Sequence, residues 1–226
     1  MKRFIVPAVI ASLISGAAFA QSTQVVSSVN VVGYNQIAIL SNQFVMVAMD
    51  FDNGTNNTVN GLFGTLPTGS SVSIWDSAPA PAGQKWVVVN KIRTGWNPSA
   101  NATNVIPAGS GVFIKGAFAT NIYLAGNVPT NTTMPVITAS NLYKILSYPY
   151  PVDMTLTNTL LGKGAATGDS ISLWVSNKWS VFNKIRTGWN PSTATNVQLK
   201  VGDAVFYKAV TNRTVNELRP YTNSVN

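Results

Sequence analysis

Short apolar runs closed off by turn-forming residues set the pattern of this chain. Residues 44–49 and 143–146 are such runs, bounded by Asn, Asp, Pro or Gly, and they predict strands. From Trp179 to Arg186 the character alternates. Trp179, Val181 and Ile185 fall on one side of an extended chain with Asn183 between them, and Ser180, Phe182, Lys184 and Arg186 fall on the other. The Asn-Pro that follows a tight Thr-Gly-Trp then ends the strand. Helical turns are predicted only around 156–161 and, at the matching place earlier in the chain, 57–63. Twelve prolines and many Asn, Thr and Ser residues argue against long helices.

The same pattern is written twice. Asn90-Lys91-Ile92-Arg93-Thr94-Gly95-Trp96-Asn97-Pro98 recurs unchanged, 93 positions on, as Asn183-Lys184-Ile185-Arg186-Thr187-Gly188-Trp189-Asn190-Pro191. Upstream, the stretch from Thr68 to Trp75 parallels that from Thr167 to Trp174, now 99 positions apart. The difference is an insertion in the first copy, where 76–85 replaces the shorter 175–178. Its Ala/Pro-rich centre, 78–83, predicts a longer hairpin loop. Downstream, Val112-Phe113-Ile114-Lys115 parallels Val205-Phe206-Tyr207-Lys208, and all six tryptophans form three equivalent pairs, Trp75/Trp174, Trp86/Trp179 and Trp96/Trp189.

These features predict an all-β fold: two tandem repeats of β-sandwich or open-barrel type, related by a pseudo-twofold axis, with at most short helical turns. The first covers 30–128 and the second 129–220, with a connector over 128–133. Each repeat is near the small end for an independent core, so the two are expected to pack together.

The N-terminus adds a compartment. Lys2 and Arg3 precede an apolar run from Phe4 to Ile14, and Ala18-Phe19-Ala20 resembles a cleavage site before Gln21. Residues 1–20 therefore read as a signal peptide, followed by an N-terminal lead over 21–29. The run is shorter than the roughly 20 residues a membrane-spanning helix needs. No second such run follows, so the mature chain is expected to have no transmembrane segment. It would be exported, to the periplasm, the cell surface or the outside. A tail over 221–226 closes the chain.

Cysteine and histidine are both missing, so stability must come from apolar packing rather than disulfides or structural zinc. Charged residues make up 10 % of the sequence, and without Lys2 and Arg3 there remain 13 basic against 7 acidic residues, a net +6. That balance favours acidic partners such as sulfated or uronic polysaccharide. Export makes nucleic acid an unexpected target, and the sequence contains no Lys/Arg-rich run.

The same composition removes most catalytic chemistry. A Ser-His-Asp triad, a thiol nucleophile and a Ser-x-x-Lys pair are all impossible or missing in the mature chain, as are nucleotide-binding glycine loops. No cofactor is expected. A paired-carboxylate hydrolase would have to draw on Asp50, Asp52, Asp76, Asp153, Asp169, Asp203 and Glu217. None of these has an acidic counterpart in the other copy, whereas Lys91/Lys184, Arg93/Arg186 and Lys115/Lys208 are all duplicated. Asp50, Asp52 and Asn53 offer clustered oxygens for calcium. Gly54 comes one place early for an EF-hand loop and Gly61 stands where its last ligand would be, so a polar turn is the simpler reading.

Two readings stand open for the duplicated motif. In the first, Lys91, Arg93, Trp96 and Asn97, with Lys184, Arg186, Trp189 and Asn190, form two binding sites. Arginine would fork onto a carboxylate or sulfate while an exposed indole stacks on a sugar ring. In the second, Thr-Gly-Trp-Asn-Pro is a structural corner whose tryptophan plugs the sheet, and Trp75 and Trp174 are core residues.

Asn30-Val31-Val32-Gly33-Tyr34-Asn35, the run from Asn42 to Val47, the Gly69 to Trp75 stretch and Gly109-Ser110-Gly111-Val112-Phe113 together resemble a family of exported, internally duplicated β-rich proteins from planctomycete and verrucomicrobial bacteria. That resemblance implies a β-rich exported protein and carries no catalytic residues. The expected role is a non-enzymatic structural or adhesive surface protein capable of self-association. The competing expectation is a soluble module binding anionic polysaccharide through the duplicated motif.

Overall fold

A computed structural model describes residues 32–78, 83–138 and 140–221. The leader, the N-terminal lead, most of the Ala/Pro-rich loop and the end of the tail lie outside the described residues. The fold is all-β.

The first repeat runs β1 (Val32–Ile39), β2 (Phe44–Ala48), a one-turn helix α1 (Val59–Phe63), β3 (Ser71–Asp76), β4 (Lys85–Ile92), β5 (Gly95–Asn97), β6 (Gly111–Lys115) and β7 (Thr120–Asn127). The second runs β8 (Thr133–Thr138), β9 (Tyr143–Ser147), β10 (Met154–Thr155), the helix α2 (Leu160–Lys163), β11 (Ser170–Val175), β12 (Lys178–Ile185), β13 (Gly188–Asn190), β14 (Gln198–Leu199), β15 (Ala204–Lys208) and β16 (Arg213–Leu218). Each helix is held at its start by a threonine hydroxyl. Thr58 accepts from the Gly61 N–H and Thr159 from the Gly162 N–H.

Both repeats have one topology. A five-stranded antiparallel sheet is ordered β2-β6-β3-β4-β5 in the first and β9-β15-β11-β12-β13 in the second. A two-stranded ribbon, β1 with β7 or β8 with β16, lies apart from it. Period-2 alternation lets one side of each ribbon and one side of each sheet share a core. Ile39, Ile122 and Leu124 from the first ribbon meet Val47, Val72, Val89, Val112 and Ile114 from the sheet, with Val59 and Phe63 of α1 filling between them. The second repeat does the same with Val136, Ile171, Leu173, Phe182, Val205 and Tyr207.

The β11–β12 hairpin turns through Ser176 and Asn177, both in the left-handed region (φ 50° and 60°), as a two-residue turn between twisted strands requires. In the first repeat the insertion takes its place.

The repeats meet across a pseudo-twofold axis, and the contacts come in matched pairs. The Ala48 N–H donates to the Gly202 carbonyl and, reciprocally, the Ser147 N–H to the Gly109 carbonyl, both at 2.9 Å. The Trp75 indole donates to the Tyr143 carbonyl at 2.8 Å and the Trp174 indole to the Phe44 carbonyl at 2.9 Å. Gly111 and its counterpart Ala204 face each other at the axis. A Cβ on Gly111 would stand 2.7 Å from the Ala204 methyl and 2.8 Å from Ile145, so only glycine lets the two sheets come this close.

Candidate functional site

The duplicated Lys-x-Arg/Gly-Trp-Asn motif forms a corner in each repeat. Trp96 and Trp189 are 6 % and 8 % exposed and belong to the two cores. A lysine ammonium covers each indole, with Lys91 Nζ 4.9 Å from the Trp96 ring and Lys184 Nζ 5.5 Å from that of Trp189. Lys91 also donates to the Gly64 carbonyl at 2.9 Å. Arg93 and Arg186 lie past the ends of β4 and β12 in the turns and are exposed, so they do not continue the strand beside their lysines. Asn97 and Asn190 are exposed, pair with Asn90 and Asn183, and precede cis prolines. The structure therefore places the duplicated indoles inside the corners, where neither offers a face to a ligand.

The calcium triplet is not brought together either. Asp52 Oδ1 accepts from the Gly54 N–H at 2.8 Å and the Asn57 amide at 3.1 Å, building a polar turn with Asn53. Asp50 is buried against the other repeat, where its Oδ2 accepts from the Gly202 N–H at 2.6 Å. Burial pushes this carboxyl up to about 7; the Gly202 N–H opposes the shift and nearby Asp203 adds to it. The Ser147 hydroxyl eases the charge without meeting hydrogen-bond geometry with Oδ1, and both atoms stay unpaired. Among the described residues no three acidic groups cluster as metal ligands would.

The aromatic concentration lies elsewhere, along the seam between the repeats, on the outer faces of both sheets. Trp75 and Trp174, expected in a core, are partly buried there and tie the repeats together through their indole donors. Trp86 and Trp179 stand beside them, 38 % and 42 % exposed. The edge-on contacts repeat across the axis: Trp75–Trp86 at 4.9 Å and Trp174–Trp179 at 5.0 Å, then Trp75–Phe206 at 5.0 Å and Phe113–Trp174 at 5.5 Å.

One feature of the seam breaks the symmetry. In one half Phe206 is stacked between Tyr143 (4.9 Å, 12°) and Trp86 (5.9 Å, 18°), giving a three-ring pile. In the other half Phe113 meets the two equivalent rings edge-on, Phe44 at 6.2 Å and Trp179 at 5.7 Å. The insertion accounts for part of the difference. Its Gln84 side chain accepts from the Tyr143 N–H at 3.1 Å, a contact the short Ser176-Asn177 turn does not make to Phe44. Where the pile is not built, a cleft of about 330 Å³ opens, lined by Phe44, Ser73, Trp86, Val88, Phe113, Trp174 and Trp179. Sequence reading identified the pairing of these tryptophans but not their convergence. The signal available was the exact pairing of Trp86 with Trp179 and of Phe113 with Phe206.

No protein-family model, no curated protein and no solved structure matches this chain.

Proposed function

We propose that the protein is a non-enzymatic, exported surface protein with an adhesive or structural role, and that the outer faces of its sheets make the contacts. The observation that carries this reading is the orientation of β4 and β12. The side bearing Trp86, Val88 and Ile92, and in the second repeat Trp179, Val181 and Ile185, faces outward, each residue about two-fifths exposed. A duplicated apolar stripe of this kind on a sheet face marks an interaction surface.

The carboxylates support a non-catalytic reading. Each of the seven accepts a backbone N–H: Asp50 from Gly202, Asp52 from Gly54, Asp76 from Ala78, Asp153 from Val201, Asp169 from Ala166 and Val210, Asp203 from Lys200, and Glu217 from Leu160 and Leu161. They hold turns and helix starts, which leaves no acid–base pair facing a cleft. A net charge of +6 after loss of the leader opposes close approach of identical chains, so adhesion to an acidic surface ranks ahead of self-assembly. The test is whether purified 21–226 sediments with cells of the producing bacterium and is released by salt. A chain that stays in the supernatant at every concentration, and forms no assemblies, would refute the role.

A further inference from the structure

We propose that the open half of the aromatic seam, the cleft bounded by Trp86, Val88, Phe113 and Trp179, seats a sugar ring of an anionic polysaccharide; this rests on the adhesive reading and names its partner. Three observations converge. The first is the broken symmetry. The half that holds Tyr143, Phe206 and Trp86 is filled by stacked rings, while its counterpart leaves about 330 Å³, at the lower end of the range for small-ligand sites. A pyranose chair, which presents a broad face of C–H groups, has the size and shape to occupy the place left open beside Phe113.

The second is the chemistry of the walls. Five aromatic side chains and a valine can desolvate the C–H face of a pyranose. The cleft is open on one side, so the sugar hydroxyls stay in water. The Trp86 and Trp179 indole N–H groups donate to no protein acceptor among the described residues, so both remain available to a hydroxyl. The third is charge. No carboxylate lines the cleft, and Lys115 Nζ sits 5.7 Å over the Phe44 ring at its edge, within reach of a sulfate or uronate on the seated ring. The single ion pair among the described residues, Arg213 with Asp169, does not engage it. The cationic chain then draws in a polyanion along its length.

The experiment titrates residues 21–226 with dextran sulfate, polygalacturonate and neutral dextran by calorimetry, at low and high salt. Binding to one or both anionic polymers is expected, weakening as salt rises, with neutral dextran about tenfold weaker or worse. Val88→Trp, which fills the cleft and leaves the seam contacts in place, is expected to weaken binding about tenfold or more. Val181→Trp, at the matching position beside the filled half, is expected to leave it unchanged. Lys115→Gln against Lys208→Gln gives the same comparison with half-buried side chains at strand ends should a tryptophan insertion disturb folding.

The proposal is overturned if neither anionic polymer binds, if the two insertions and the two lysine variants act alike, or if Arg93→Ala with Arg186→Ala alone abolishes binding. It is also overturned if Val88→Trp removes self-association seen by sedimentation while sparing polysaccharide, which makes a second copy the occupant. Cell association that survives without polysaccharide binding sinks this site alone; loss of both sinks the surface role as well.

Discussion

Replacing Asp50 by asparagine perturbs the seam at a single buried carboxyl. The residue is 4 % exposed, one oxygen accepts from the Gly202 N–H at 2.6 Å, and the other has no partner. Its folded pKa stands at about 7 against 3.8 for the free group. The folded state therefore holds a proton that the unfolded state has already released between those two values. Stability from this group is unaffected below about pH 4, falls as pH rises from there to about 7, and is flat above. With roughly 1.4 kcal/mol per pH unit, ionisation costs about 1.5 kcal/mol of stability at pH 5 and about 4 kcal/mol at pH 8. Asparagine does not titrate, keeps an oxygen for Gly202 and places an amide beside the unpaired Ser147 hydroxyl. The stability gained by Asp50→Asn, from urea denaturation, should therefore grow between pH 5 and pH 8. Taking the difference between variant and wild type removes the contribution of Glu217, whose carboxyl burial also raises, and leaves the part of the Asp50 shift that Asp203 adds inside the measured difference. A difference that is flat or shrinks with pH would refute the argument.

Three further outcomes follow from the packing. In the second repeat Asp169 accepts from the Tyr207 hydroxyl, the Val210 N–H and Arg213, where the first repeat has Ser70, Ile114 and Thr120. Asp169→Ala should cost about 3–5 kcal/mol by stranding the half-buried arginine and the buried tyrosine. The triple change Asp169→Ser, Tyr207→Ile, Arg213→Thr should cost less than half of that, because no polar group is left unpaired. Trp189→Ala should lower stability by about 3–5 kcal/mol in chemical denaturation, as a core cavity does, and should leave polysaccharide titrations of the still-folded fraction unchanged. Gly111→Val should lower the melting temperature through a clash with Ala204 and Ile145, at a cost of about 1–3 kcal/mol or more.

Much of the fold was legible because its signals are local. The identical nine-residue stretch announced the duplication, and the alternation over Trp179 to Arg186 matches β12 and its turn. The tight Thr-Gly-Trp-Asn-Pro reading as a corner is what the burial of Trp96 and Trp189 favours. The face that each strand buries was not legible. In β4 both sides are apolar, Val87 and Val89 on one and Trp86 and Val88 on the other. In β12 the side with three large apolar residues is the one left outward, because the ribbon and α2 cover the opposite side. The aromatic cleft was hidden for a related reason. Its walls come from β2, β3, β4, β6, β11 and β12, segments up to 135 positions apart, and their meeting depends on how two sheets dock. Lys-x-Arg suggested a paired cation because strand geometry was extended through Arg93, where the chain already turns.

The crossed indole donors have an architectural corollary. Each half of the chain finishes the main-chain hydrogen bonding of the other, Trp75 at the Tyr143 carbonyl and Trp174 at the Phe44 carbonyl. A polypeptide carrying one half alone would present an indole without its acceptor and an apolar docking face in water. Since the two halves are near copies, a second molecule of the same half offers the missing complement, and a solitary half is expected to exist as a homodimer built on the same junction.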